Sequence, residues 1–336
     1  MKKIINQANR VVPEMLEGFE ATHSRLVRLL PEARAVLRRI PKSPGKVALI
    51  SGGGSGHEPA HAGYVGFGML DAAVAGNVFA SPNPEQLLAA LDELKNQAGI
   101  LMIIKNYSGD VMNFGIAAEM AAEKGAIIEK VVVNDDVALA GRDKPDWRRG
   151  IAGTVFVHKI AGAAAEKGMR LAEVRELAER AVAGMGSMGV ALSPCIVPEA
   201  GKPGFSLGEN EMEIGLGIHG EAGARKTAVL PADEIAGELF ARIRDDVGLK
   251  SGDKVAVLVN GLGGTPPLEL YILARAARRL ADQAGLNISY SLVGNYMTSL
   301  EMAGASLTLL RLDAELEELL AAPALTPAIY QPAPGQ

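Results

Sequence analysis

Short apolar runs separated by amphipathic stretches set the pattern of the chain. The runs at 47–50, 100–104, 127–133, 190–192, 255–259 and 288–293 are short and mostly rich in Val and Ile. Such runs read as strands buried on both faces. Between most of them, 85–96, 115–124, 171–184 and 267–284 carry Ala, Leu and charged residues at helical spacing. Alternating strands and helices predict an α/β chain whose sheets are largely parallel or mixed and flanked by helices. Ligands on such sheets sit beyond the carboxyl ends of the strands.

One grammar occurs twice. Lys46-Val47-Ala48-Leu49-Ile50 runs into Ser51-Gly52-Gly53-Gly54-Ser55-Gly56, and Lys254-Val255-Ala256-Val257-Leu258-Val259 runs into Asn260-Gly261-Leu262-Gly263-Gly264-Thr265. A helix is predicted after each loop. The repetition predicts two α/β domains, 1–188 and 189–336. The interrupted stretch Gly184-Met185-Gly186-Ser187-Met188-Gly189 serves as the linker. The tail from Ala321, rich in Pro and Ala, is expected to pack loosely at the surface.

Composition narrows the class. With 336 residues, 48% hydrophobic and 22% charged, the chain is an ordinary globular protein rather than a disordered, coiled-coil or collagenous one. The single cysteine, Cys195, cannot form an internal disulfide, which points to a reducing, cytoplasmic setting. A net charge of −5, with no Lys/Arg cluster beside aromatics, argues against nucleic acid and anionic membrane as partners. No apolar run approaches the ~18 residues of a membrane-spanning helix.

Five segments could carry chemistry. The glycine run at 51–56 offers backbone N–H groups to an oxygen-rich ligand, or simply makes a turn. It fails as a P-loop because His57 follows Gly56, and as a dinucleotide fingerprint because His57 stands where the third glycine belongs. His57-Glu58-Pro59-Ala60-His61 matches the zinc-peptidase spelling, but Pro59 is comfortable only in a helix's first turn. The helix is therefore expected to begin near His57, and no metal site is expected. In Lys105-Asn106-Tyr107-Ser108-Gly109-Asp110, a strand ends in groups that could bind a hydroxyl. Asp110 there is either a general base or a helix N-cap. His219, within Gly215-Leu216-Gly217-Ile218-His219-Gly220-Glu221, is either an exposed turn residue or a nucleophile or base. Asn134-Asp135-Asp136 could bind a metal, but reads first as a strand end capping the next element.

Together these segments, with Ala200-Gly201-Lys202-Pro203 and Asn210-Glu211-Met212-Glu213-Ile214, resemble the dihydroxyacetone kinase family on the side of its substrate-binding subunit. The resemblance covers nearly the whole chain. It implies that His219 adds through a ring nitrogen to the ketone carbon of dihydroxyacetone, giving a hemiaminal. It further implies that Asp110 takes the hydroxyl proton, that His57 assists, and that Gly54, Ser55, Gly56 and Lys105 position the substrate. An adding histidine must be neutral, so activity should fall below ~6.5, the ordinary imidazole value. The resemblance assigns no cofactor to this chain. Nucleotide and Mg²⁺ are expected on a separate nucleotide-binding subunit, since the family's nucleotide domain does not follow residue 330. It also implies a homodimer, and a donor charged through the phosphoenolpyruvate phosphotransferase system rather than by ATP. The alternatives are a ligand-sensing co-regulator and a kinase for a longer ketose such as erythrulose.

Overall fold

The structure, a computed structural model, describes residues 2–40, 43, 45–96 and 98–333. Its contacts divide the chain into two compact units, Met1–Val132 with Phe156–Arg180 and Leu319–Gln336, and Val133–Val155 with Ala181–Glu318.

The first unit is built on strands β1 (Val27–Leu30), β2 (Ala35–Arg38), β3 (Ala48–Ser55), β4 (Ala72–Val78), β5 (Ile100–Lys105) and β6 (Ile128–Val133), in the spatial order β1-β2-β4-β3-β5-β6. β3 runs parallel to both β4 and β5, while β2 is antiparallel to β1 and β4. Helices α1 (Val11–His23), α2 (Pro84–Leu94) and α3 (Ser108–Glu123) belong to this unit. α2 starts where it does because Asn83 and Gln86 cap each other reciprocally and Pro84 occupies the first helical turn. Its Leu87, Ala90, Leu91 and Leu94 share one face. With Phe114, Ala117, Ala118 and Ala121 of α3 they cover Ile50, Val74, Ile100, Met102 and Ile104 of the sheet. α4 (Thr154–Glu166) and α5 (Leu171–Ala183) follow, the chain changing unit near the start of one and the end of the other.

The second unit holds β7 (Met185–Ala191), β8 (Glu211–Ile214), β9 (Arg225–Ala228), β10 (Lys254–Gly261), β11 (Asn287–Gly294) and β12 (Gly304–Leu312), ordered β11-β10-β12-β7-β8-β9. Only β10 and β11 pair in parallel; the remaining pairs are antiparallel. α6 (Ala232–Val247) and α7 (Pro267–Gln283) bury Leu239, Phe240, Ile243, Leu270 and Leu273 against Val255, Val257 and Leu307. Two mixed α/β sheets flanked by helices agree with the predicted class.

Four expectations need correction. The stretch 184–189 is not a linker: all of it but Gly184 lies in β7, buried between β12 and β8. Its glycines serve close packing, since a Cβ on Gly186 would lie 3.1 Å from Ile243, Val137 and Val247. A single boundary at 188 would therefore cut a central strand. The glycine run after Ile50 continues β3 to Ser55, and no α-helix follows at His57; residues 57–61 form turns, then a 3-10 turn over Ala62–Tyr64. The tail is not loose. After α8 (Ala314–Ala321), β13 (Ala324–Leu325) pairs with β14 (Tyr330–Gln331). Leu325 and Ala328 also donate their N–H groups to the carbonyls of Phe67 and Gly63. Residues 334–336 of the expected tail lie outside the described residues. Among the described residues, no helix is long and apolar enough to cross a membrane.

Candidate active site

In the first unit, polar groups converge where β3 and β5 end. Lys105, the last residue of β5, is fully buried, and its ammonium lies 3.3 Å from Asp110 Oδ2. The other oxygen of Asp110 accepts a short hydrogen bond from the Ser81 hydroxyl. Asp110 sits in the first turn of α3 without capping it; the N-cap is Tyr107, which makes no side-chain cap bond. The carboxylate is thus committed to Lys105 and Ser81, which overturns the capping alternative.

Gly53 makes room for this cluster. A Cβ there, at φ +156°, would lie 2.5 Å from Lys105 Nζ, 3.5 Å from Asp110 Oδ2 and 3.7 Å from His61 Nε2. Any side chain would fill the space on which a cation, a carboxylate and an imidazole converge. Gly54 meets a second wall, its notional Cβ being 2.6 Å from the Ala80 nitrogen. Beside it, the His57 ring is buried and stacks on Phe79, with centroids 5.0 Å apart and planes at 15°. Phe79 holds φ +57°, a conformation that a bulky side chain adopts at an energetic cost. The Ser55 hydroxyl donates to Gly76, and the Gly56 N–H is bound by Glu58, whose carboxyl burial pushes above its usual range.

His57 and His61 do not share a helix face. His61 Nδ1 instead lies 2.9 Å from His158 Nε2 and 3.4 Å from the Ser51 hydroxyl. Burial, then the Lys105 charge, pushes His158 down to about 3. Burial, then Lys105, His158 and His57, holds His61 well below the imidazole range. Both are neutral, buried histidines. An unfolded histidine accepts a proton near 6.5, whereas folded His158 refuses it until about 3. The stability this difference supplies is complete above about 6.5 and is lost as pH falls, by up to ~1.4 kcal/mol per pH unit. Melting temperature should therefore decline steadily between about pH 6.5 and pH 4, and less steeply in His158→Gln. Equal slopes in the two proteins would refute this origin of acid lability.

In the second unit, His219 lies in the loop 215–224 joining β8 to β9. Its Nδ1 is 2.7 Å from Glu221 Oε1, and its backbone N–H donates to Glu221 Oε2. Burial opposes ionisation of Glu221, but the hydrogen bonds and charge of His219 win and bring its carboxyl down to about 2. An ionised carboxylate only accepts, so Nδ1 carries the proton. In the neutral ring, Nε2 then holds the lone pair. This geometry fixes the tautomer of the ring and leaves Nε2 unprotonated.

Asp135 accepts the N–H groups of Ile151 and Gly153, and Asp136 binds Arg149 and the Ala138 N–H. This is the structural role expected of that pair. Among the described residues, no three His, Cys, Asp or Glu side chains are grouped to hold a metal. Sequence reasoning missed Ser81, which lies in the irregular segment just before α2. It also missed the pairing of His61 with His158, ninety-seven positions away.

Residues 17–328 match the Dak1 domain. The chain is 51% identical over 315 residues to a Listeria innocua protein named PTS-dependent dihydroxyacetone kinase 1, dihydroxyacetone-binding subunit DhaK; the match covers 94% of this chain and 95% of that protein. Among solved structures, it is similar to the dihydroxyacetone kinase operon co-activator Dha-DhaQ, with a TM-score of 0.89 at 36% identity over 95% of this chain and 98% of that one. It is also similar to the dihydroxyacetone kinase of C. freundii, with a TM-score of 0.88 at 37% identity; that match takes in 100% of this chain but 61% of the longer protein.

Proposed function

The chain belongs to the Dak1 domain family, and from that premise we propose that it is the dihydroxyacetone-binding subunit of a phosphotransferase. It acts as a homodimer, and the bound ketone's hydroxyl accepts the phosphoryl group held, with Mg²⁺, on a separate nucleotide-binding subunit. That subunit is recharged from phosphoenolpyruvate. The observation that carries the reading is the contact of His219 Nδ1 with Glu221 at 2.7 Å, which leaves Nε2 as the adding nitrogen.

Addition proceeds with Nε2 supplying an electron pair to the ketone carbon. The carbonyl π pair moves to oxygen, which takes up a proton, and the ring becomes cationic. Glu221 already faces that ring as a carboxylate, so the charge is met as it forms. Glycerol has the same terminal hydroxyls but no electrophilic carbon, and is refused. Asp110 accepts the hydroxyl proton as that oxygen attacks phosphorus, and Lys105 holds both the carboxylate and the hydroxyl. His57 hydrogen-bonds the substrate, and the backbone at Gly54, Ser55 and Gly56 lines its seat.

A second reading is favoured by one observation: the similarity to a protein named as an operon co-activator. A sensor needs only to capture the ketone; Asp110 held between Lys105 and Ser81 is needed only for transfer. The deciding experiment supplies the purified chain with a nucleotide-binding subunit, phosphoenolpyruvate and the phosphotransferase proteins, and offers dihydroxyacetone, erythrulose and glycerol in parallel. Phosphorylated dihydroxyacetone and no glycerol phosphate is the expected result. Capture without product would establish the sensor instead, and a preference for erythrulose would move the substrate to the tetroses.

A further inference from the structure

The loop that carries His219 is fastened at both ends by one side chain that lies far from it in sequence. The Arg149 guanidinium donates to the carbonyl of Gly215 at 2.6 Å and to that of Ala222 at 3.5 Å, so it spans the loop. Its remaining face meets Asp136, with Nε at 2.7 Å and an Nη at 2.6 Å from Oδ2. Asp136 is itself held by the fold. It is buried, its Oδ1 accepts the Ala138 N–H, and its backbone N–H donates to the Arg149 carbonyl. Inside the fastened segment, Gly217 donates to the Glu221 carbonyl and Gly220 to that of Gly217. Arg149 reaches the core of the turn as well: a Cβ on Gly217 would lie 2.7 Å from one of its terminal nitrogens and would overlap the Glu221 carboxylate.

We infer that Arg149, oriented by Asp136, is a positioning residue for the nucleophile: by clamping the Gly215 and Ala222 carbonyls it holds Glu221 against His219 Nδ1. This inference rests on His219 being the adding residue. The physical argument is one of shape. Only a planar guanidinium has donors fanned widely enough to bind one carboxylate and two separated carbonyls together; an ammonium is a point charge on a flexible stem. The loop contains four glycines among residues 215–223. Without the clamp, its backbone would sample arrangements in which Glu221 and His219 part, and the tautomer that presents Nε2 would no longer be selected.

The test compares Arg149→Lys and Asp136→Asn with the intact chain on three readouts: melting temperature, the rate of covalent dihydroxyacetone capture seen by native mass spectrometry, and the hydrogen-bonded Nδ1–H proton signal of ¹⁵N-labelled His219, assigned by its disappearance in His219→Ala. Arg149→Lys should melt close to the parent, capture about tenfold to a hundredfold more slowly, and lose or broaden that signal, because a displacement of about an ångström suffices for such a rate loss. Asp136→Asn, which keeps the shape and removes the anchoring charge, should move both readouts in the same direction by less. An unchanged Nδ1–H signal with unchanged capture would overturn the inference. So would a lower melting temperature with capture per folded molecule at the parental rate, since Arg149 would then serve only the fold. Failure of the underlying reading is separable: persistent capture by His219→Ala would remove His219 as the nucleophile, while the proton signal in Arg149→Lys would still report whether the clamp sets the His219–Glu221 contact.

Discussion

His219→Ala should abolish the mass increase of one substrate unit that dihydroxyacetone gives with the parent chain, and with it all but a trace of phosphoryl transfer. The expected loss is large because addition does two things at once. It selects the ketone by forming a bond that no hydrogen-bonding site can imitate, and it fixes the terminal hydroxyl for attack, converting a loosely held reactant into part of the protein. Well-oriented groups of this kind account for roughly 7–11 kcal/mol in favourable cases, so a fall of about a thousandfold in turnover is a modest expectation. Residual binding through Lys105 and Asp110 should remain, weak and reversible. The Glu221 partner explains why alanine, rather than a polar replacement, is the cleaner probe: any new donor at 219 would still engage the carboxylate left behind. An adduct of undiminished yield in the variant would remove His219 from the mechanism, whatever its effect on turnover.

Asp110→Asn should do the opposite: capture persists, transfer fails. Asparagine keeps the size of the side chain and its contact with Ser81 but cannot accept the hydroxyl proton, and positioned general bases contribute about a hundredfold to ten-thousandfold. One complication has a physical remedy. Lys105 is fully buried, and Asp110 is its carboxylate partner at 3.3 Å. Neutralising Asp110 leaves a buried cation poorly compensated, a change that destabilises by about 3–5 kcal/mol when such a pair is broken. The double substitution Lys105→Met/Asp110→Asn should therefore melt higher than Asp110→Asn alone while remaining inactive. Wild-type turnover in folded Asp110→Asn would show that the proton goes elsewhere.

The parts of this architecture that hydrophobic pattern controls were open to reading from the chain alone. The cores of β3, β5, β6, β10 and β11 coincide with apolar runs, and α2, α3, α5 and α7 with the amphipathic stretches. What escaped is decided by backbone and distance. The end of β3, residues 51–55, is all serine and glycine, and the start of β7 sets Gly186, Ser187 and Gly189 among methionines. Such residues have weak strand preference and are retained where a neighbour packs in the place of a side chain. β9, Arg225–Ala228, has almost no apolar residues and owes its pairing to β8. At the site, Lys105 and Asp110 are close in sequence and could be seen together. Ser81, the His61–His158 pair and Arg149 act on partners between 29 and 97 positions away, which no local pattern encodes.

The C-terminal hairpin sets an order of events for the growing polypeptide. Leu325 and Ala328 bind the carbonyls of Phe67 and Gly63, a few residues past His61, so this part of the first unit is assembled from residues translated far apart in time. A chain released after α8 but before the mid-320s has Lys105 and Asp110 in its first unit but lacks the last pair of strands. Truncated products should thus be recognised by proteases as unfinished, and fusion partners are better placed at the amino terminus than where they could delay docking of that hairpin.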